Sequence, residues 1–131
     1  MRFIIKRKPV PKPRVTKTRA ELAKYKLMKK QAEEYFPYKV AFYAQKHGFA
    51  YERVRLMNAK TRWGSCSTRG TLSFNIALMK LDPPLRDYVI IHELCHIKEM
   101  NHSKNFWALV ASLDPHYKLH RQSLKTHSPY L

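Results

Sequence analysis

The sequence predicts an α+β domain: N-terminal helices, a small antiparallel β-sheet, then a second group of helices. Three patterns carry this expectation. Apolar residues recur at three- and four-residue steps from Leu22 through Tyr25, Met28 and Ala32 to Tyr35. They alternate with polar residues at Leu72, Phe74 and Ile76, and helical patterning with capping residues returns after Asp82. The length of 131 residues fits one domain, and 44% hydrophobic with 12% aromatic residues is enough to build a core.

Residues 6–19 (KRKPVPKPRVTKTR) mix Pro with Lys and Arg and bring little apolar surface. Burial there cannot offset the entropy of ordering, so residues 1–19 are expected to form a basic, mobile or extended arm, with residues 20–131 as the single domain. From about Thr18 a helix begins. Pro37 interrupts its pattern, or opens a second helix that runs to His47 and stops at Gly48. Residues 50–76 carry strand signals, with Val54 and Leu56 alternating with Arg53 and Arg55, and Gly70 placed for a bend. Asp82-Pro83-Pro84 then predicts a helix from about Pro83 to Met100, with Asn101 as a left-handed stop. Ser103 is placed to cap a helix bearing Phe106, Trp107, Val110 and Leu113. Asp114-Pro115 repeats the device before a last helix with Tyr117, Leu119 and Leu124.

Charge is unevenly distributed. The chain has 26 Lys plus Arg against 9 Asp plus Glu, a formal +17. Residues 1–30 hold 12 of the basic residues and one acid, a net +11, which leaves +6 for the remainder. A basic N-terminal region of this kind suits a nucleic acid or nucleotide partner, through counterion release. Two cysteines are too few for a disulfide framework. No apolar run approaches the length of a membrane span or a signal-peptide core. A reduced cytoplasmic chain with no membrane partner is therefore expected.

The segment His92-Glu93-Leu94-Cys95-His96 carries the chemistry. Residues four apart share a helix face, so His92 and His96 can aim at one metal ion. Glu93, one step round, is set to hold a proton of an activated water without ligating the metal; this is the logic of an HExxH motif. A catalytic zinc needs a third protein ligand, and His102 follows His96 by six residues, past the expected helix end. That interval is the metzincin spacing, but Glu99 stands where metzincins place Gly, so only the ligand spacing carries over. Of the acids after His96, Glu99 lies about 300° round the helix and Asp114 is a cap before Pro115. His116, His120 and His127 have no local reason to converge on the site and are read as surface residues. Cys95 points about 100° away from His96, as a buried core thiol would. One Zn²⁺ per chain is expected.

RWGSC at Arg62–Cys66, Asn75 in the next strand, YVIIHELCHI at Tyr88–Ile97 and NHSKNFW at Asn101–Trp107 together resemble the YgjP-like metallopeptidase family, which is related to the WLM and SprT-like zincins. The resemblance spans about residues 20–125 and leaves the arm outside. It implies a zincin-like fold with the site helix beneath the sheet. It also implies His92, His96 and His102 as zinc ligands, Glu93 as catalytic base, and a protein or peptide substrate. In zincins the strand beside the site helix pairs with an extended substrate, so Arg62, Ser65 and Asn75 are candidates to bind substrate. The alternative is a packed strand with Trp63 in the core and Gly64 allowing close approach.

Two other functions remain open at this level. Arg53, Arg55, Arg62 and Arg69 near the sheet would suit a metal-dependent nucleotide or phosphoanhydride hydrolase using the same site. The N-terminal charge would suit a nucleic-acid-binding module with a structural zinc. Against the latter, three ligands leave the coordination sphere open, and a structural site has no need of Glu93.

Overall fold

The computed structural model describes residues 17–129. Of the arm expected over residues 1–19, residues 1–16 lie outside the described residues. Thr18 caps the first helix, α1 (Arg19–His47): its hydroxyl accepts from the Glu21 amide while the Glu21 carboxylate accepts from the Thr18 amide. The helix ends at Gly48, whose φ of 75° is the left-handed cap that glycine adopts without strain.

Pro37 opens no second helix; α1 is continuous through it for 29 residues. Its buried stripe is Met28, Ala32, Phe36, Val40 and Ala44, an unbroken four-residue repeat on both sides of the proline. Pro37 and Glu33, the residue whose carbonyl the proline leaves without its helical partner, are both exposed. Packing of the opposite face holds the helix together: Phe36 stacks on Phe74 of the sheet with ring centroids 5.0 Å apart. Leu22, the first member of the expected stripe, is 45% exposed.

The sheet has strands β1 (Arg53–Met57), β2 (Gly64–Cys66) and β3 (Thr71–Asn75) in the order β1-β3-β2. It is mixed, which corrects the antiparallel expectation: β2 and β3 form an antiparallel hairpin, while β1 pairs with β3 in parallel. The cause is the path of residues 58–63, which cross the end of β3 from one edge of the sheet to the other. Asn75, at that end, ties the crossing down. Its Nδ2 donates to the carbonyls of Ala59 (2.7 Å) and Arg62 (2.9 Å), and its Oδ1 accepts from the Ala77 amide (2.9 Å) to cap a 3-10 helix over Ile76–Lys80. Alternation along a strand shows which face is buried, but not which strands become neighbours.

α2 (Pro83–Lys98) lies at the centre, packed against α1, β2, α3 (Lys104–Leu113) and α4 (Tyr117–Leu124). Prolines fill its first turn as expected, although Asp82 makes no side-chain cap bond. Asp87 joins α2 to α1 by accepting from the hydroxyls of Tyr35 (2.5 Å) and Tyr43 (2.8 Å), with Lys39 at 3.6 Å. α2 stops at Lys98, and the chain turns with Glu99 in an extended conformation. No described residue other than glycine has a positive φ, so Asn101 is not a left-handed stop. Ser103 caps α3 through the Phe106 amide, as expected. Asp114 accepts from the His116 amide (3.0 Å), and α4 begins at Tyr117 with Leu119 exposed. Among the described residues no helix is long and apolar enough to cross a membrane.

Candidate metal centre

His92 and His96 lie one turn apart on α2, and His102 is delivered by the four-residue return between Lys98 and the Ser103 cap. Their Nε2 atoms form a nearly equilateral triangle, with edges of 3.2 Å (His92–His96), 3.1 Å (His96–His102) and 3.3 Å (His102–His92). A tetrahedral ion with Zn–N bonds of about 2.0–2.1 Å sets its nitrogens about 3.3 Å apart. The three side chains therefore fit zinc in both donor type and spacing. Among the described residues they are the one such cluster able to hold a metal ion.

The far nitrogens of the rings are also engaged. His96 Nδ1 lies 3.0 Å from the Glu99 carbonyl, which can only accept, so the proton sits on Nδ1 and the Nε2 lone pair is free. His92 Nδ1 stands 3.3 Å from the Tyr88 hydroxyl. Burial and the neighbouring cationic positions push His92 down to about 3, and burial lowers His96 too, so both are neutral donors at ordinary pH. Phe106 of α3 walls the cluster. It stacks on His96 at 4.4 Å and meets His92 and His102 edge-on at 4.9 and 5.0 Å. Trp107 stacks on His102, and the Arg121 guanidinium lies over the Trp107 ring, 4.5 Å from its centroid.

Glu93 is 6% exposed, beneath Gly64 of β2. A Cβ at residue 64 would lie 3.0 Å from its Oε2 and 3.1 Å from Val89, so any side chain here would push Glu93 or Val89 aside by a few tenths of an ångström. Burial raises the carboxyl to about 8 in the metal-free site, against an opposing effect of Arg62. Two cavities flank the centre. One of about 410 Å³ is bordered by Trp63, Tyr88, His92, Glu93 and Arg121; the other, of about 240 Å³, by Ser65, Cys66, His96, Met100 and His102. Arg62 borders both.

Arg62 and Ser65 thus stand at the cleft, but Asn75 does not. It is wholly buried and its amide hydrogens are spent on Ala59 and Arg62, so the expectation that it donates to a substrate is not met. Cys95 is fully buried, with its thiol pushed up to about 12, and Cys66 is raised to about 11 by burial and Glu93. Both are free thiols. His116 and His127 are exposed. His120, expected at the surface, is partly buried and held at 2.6 Å by Asp114. Phe106, Tyr88 and Arg121 were not singled out as site residues from the sequence. Tyr88, four residues before His92 on the same helix face, had a legible signal; Arg121 arrives from a separate helix and had none.

A family model described as YgjP-like, metallopeptidase domain matches residues 2–127, and so takes in the N-terminal segment that the motif resemblance left out. No curated protein matches the chain significantly. Among solved structures, the metallopeptidase zymogen abylysin of Pyrococcus abyssi is similar, with a TM-score of 0.61 and 26% identity over 67% of this chain and 90% of that one. The helix-borne histidine pair, the third histidine beyond the turn and the match over nearly the whole sequence agree: this chain belongs to the YgjP-like metallopeptidase domain family.

Proposed function

We propose that the protein is a zinc-dependent peptidase in which His92, His96 and His102 hold the ion and Glu93 is the general base. The observation that carries this reading is the Nε2 triangle beside a buried carboxyl, between two open cavities. Zinc held there supplies a Lewis acid that acidifies water and polarises a carbonyl. Glu93, raised by burial in the metal-free site, would be ionised beside a bound cation. Glu93 takes a proton from the attacking water and returns it to the departing amine. Phe106 and the Glu99 carbonyl fix the ligand rings, and Arg62 faces the substrate at the mouth of both cavities. The full chain loaded with zinc should cleave peptides, and Glu93→Gln should keep one zinc per chain while losing cleavage. Undiminished turnover in that variant would overturn the role of Glu93.

A second reading keeps the site and changes the bond. Arg62 and Arg121 both border the larger cavity, an arrangement that suits a phosphoanhydride substrate. Release of phosphate or pyrophosphate from nucleoside triphosphates, measured beside peptide cleavage, separates the two. A nucleic-acid module with a structural zinc draws no support from this site, because three ligands leave a coordination position open beside a base.

A further inference from the structure

The outer face of the sheet is lined by hydroxyls and arginines. Leu72 and Phe74 point into the core, so the alternate positions of β3, Thr71 and Ser73, face the other way. The register sets Arg53 opposite Thr71 and Arg55 opposite Ser73 on one side, with Ser65 opposite Ser73 on the other. These side chains, together with Arg62, line an open depression of about 450 Å³. No acidic side chain borders it, and among the described residues none of the three arginines makes an ion pair. Residues 1–16 contain no Asp or Glu, so that segment offers no carboxylate side chain to neutralise them. The depression adjoins the metal centre: Arg62, Ser65 and Cys66 border both it and the cavity that contains His96 and His102.

We propose that this face is a recognition groove for an acidic peptide segment, with side-chain carboxylates two residues apart held by Arg55 with Ser73 and by Arg53 with Thr71. Same-face residues along a strand repeat at about 7 Å, and an extended peptide repeats its own side chains at the same interval. Each guanidinium offers a planar fork that matches a carboxylate, and the hydroxyls supply donors beside it. A nucleic acid fits less well, since no aromatic side chain borders the depression to stack a base. Arg62, shared with the metal cavity, places the peptide's next residues at the centre. The substrate class so named rests on the peptidase reading.

The test uses the full-length, zinc-loaded E93Q protein and fluorescence anisotropy. The probe is a fluorescein-labelled peptide with Glu at alternate positions, compared with its Gln counterpart. The Glu peptide should bind at least about 10-fold more tightly, and adding R53E and R55E should remove that advantage. R53Q with R55Q should reduce it in a protein whose zinc content and melting temperature are unchanged, which separates lost recognition from lost folding. Equal binding of the two peptides would overturn the groove. So would a preference that survives in both double variants, or tighter binding of a labelled oligonucleotide of equal charge that is lost in the same variants. Acid-selective binding with no cleavage of any peptide by the wild-type protein would support the groove and sink the peptidase reading. Peptide cleavage with no acid-selective binding would do the reverse.

Discussion

The Tyr88 hydroxyl stands 3.3 Å from Nδ1 of His92, one helical turn away on the same face of α2. Burial raises the phenol to about 12, so it is neutral and its oxygen can accept the Nδ1 proton when Nε2 is a ligand. Tyr88→Phe should therefore weaken zinc binding by roughly 10-fold with the fold intact, as outer-shell partners of ligating histidines do. Competition against a chelator measures this. An unchanged Kd would mean that Phe106 packing alone orients the ring.

The metal-free protein should show an unusual stability profile. Between its ordinary value of 4.5 and about 8, Glu93 holds a proton in the folded chain that the unfolded chain has released. Its contribution to stability is therefore lost as pH rises through that window. His92 acts in the opposite sense: below 6.5 the unfolded chain takes up a proton that the folded one refuses until about 3, so stability falls with acid. From pH 6.5 to 8 the Glu93 effect stands alone of the two. Tm of chelated wild-type protein should drop over that interval, and E93Q should flatten the drop. An equal drop in the variant would assign it elsewhere.

Gly64→Ala puts a methyl 3.0 Å from Glu93 Oε2 and 3.1 Å from Val89. Moving a base by a fraction of an ångström lowers turnover far more than it lowers stability, so peptide hydrolysis should fall roughly 10- to 100-fold with zinc retained. Parallel metal analysis and kinetics decide the matter, and loss of zinc in step with activity would point to a disrupted helix.

Asn75→Ala should cost at least about 2 kcal/mol, because the carbonyls of Ala59 and Arg62 lose their donor and the Ala77 amide its cap. Urea denaturation measures the loss. A stable Asn75→Ala protein with impaired substrate binding would restore Asn75 to the cleft.

The candidate metal centre was legible because its geometry is local. His92, Glu93 and His96 share one helix, and His102 sits just past its end, so spacing alone brought them together. Thr18, Ser103 and Gly48 act within a few residues and were equally readable. Pro37 misled because its local penalty was outweighed by Phe36 against Phe74, a contact between residues far apart in the chain. Asn75 misled for a related reason: a polar residue in a cleft strand suggests a donor for substrate, and only the crossing of residues 58–63 shows where its hydrogens go. The parallel pairing of β1 with β3 belongs to that same crossing.

The three candidate ligands, Glu93 and the aromatic wall lie between His92 and Trp107, whereas Gly64, Arg62 and the depression come from the sheet and its crossing segment. Gathering an ion and presenting a substrate to it are thus separate inheritances in this fold. A short contiguous stretch can gather zinc as soon as its helix and turn have formed, before any distant pairing is made. The far wall of the cleft arrives only when the sheet docks, so a half-folded chain would carry the three histidines and Glu93 without a place to hold a substrate.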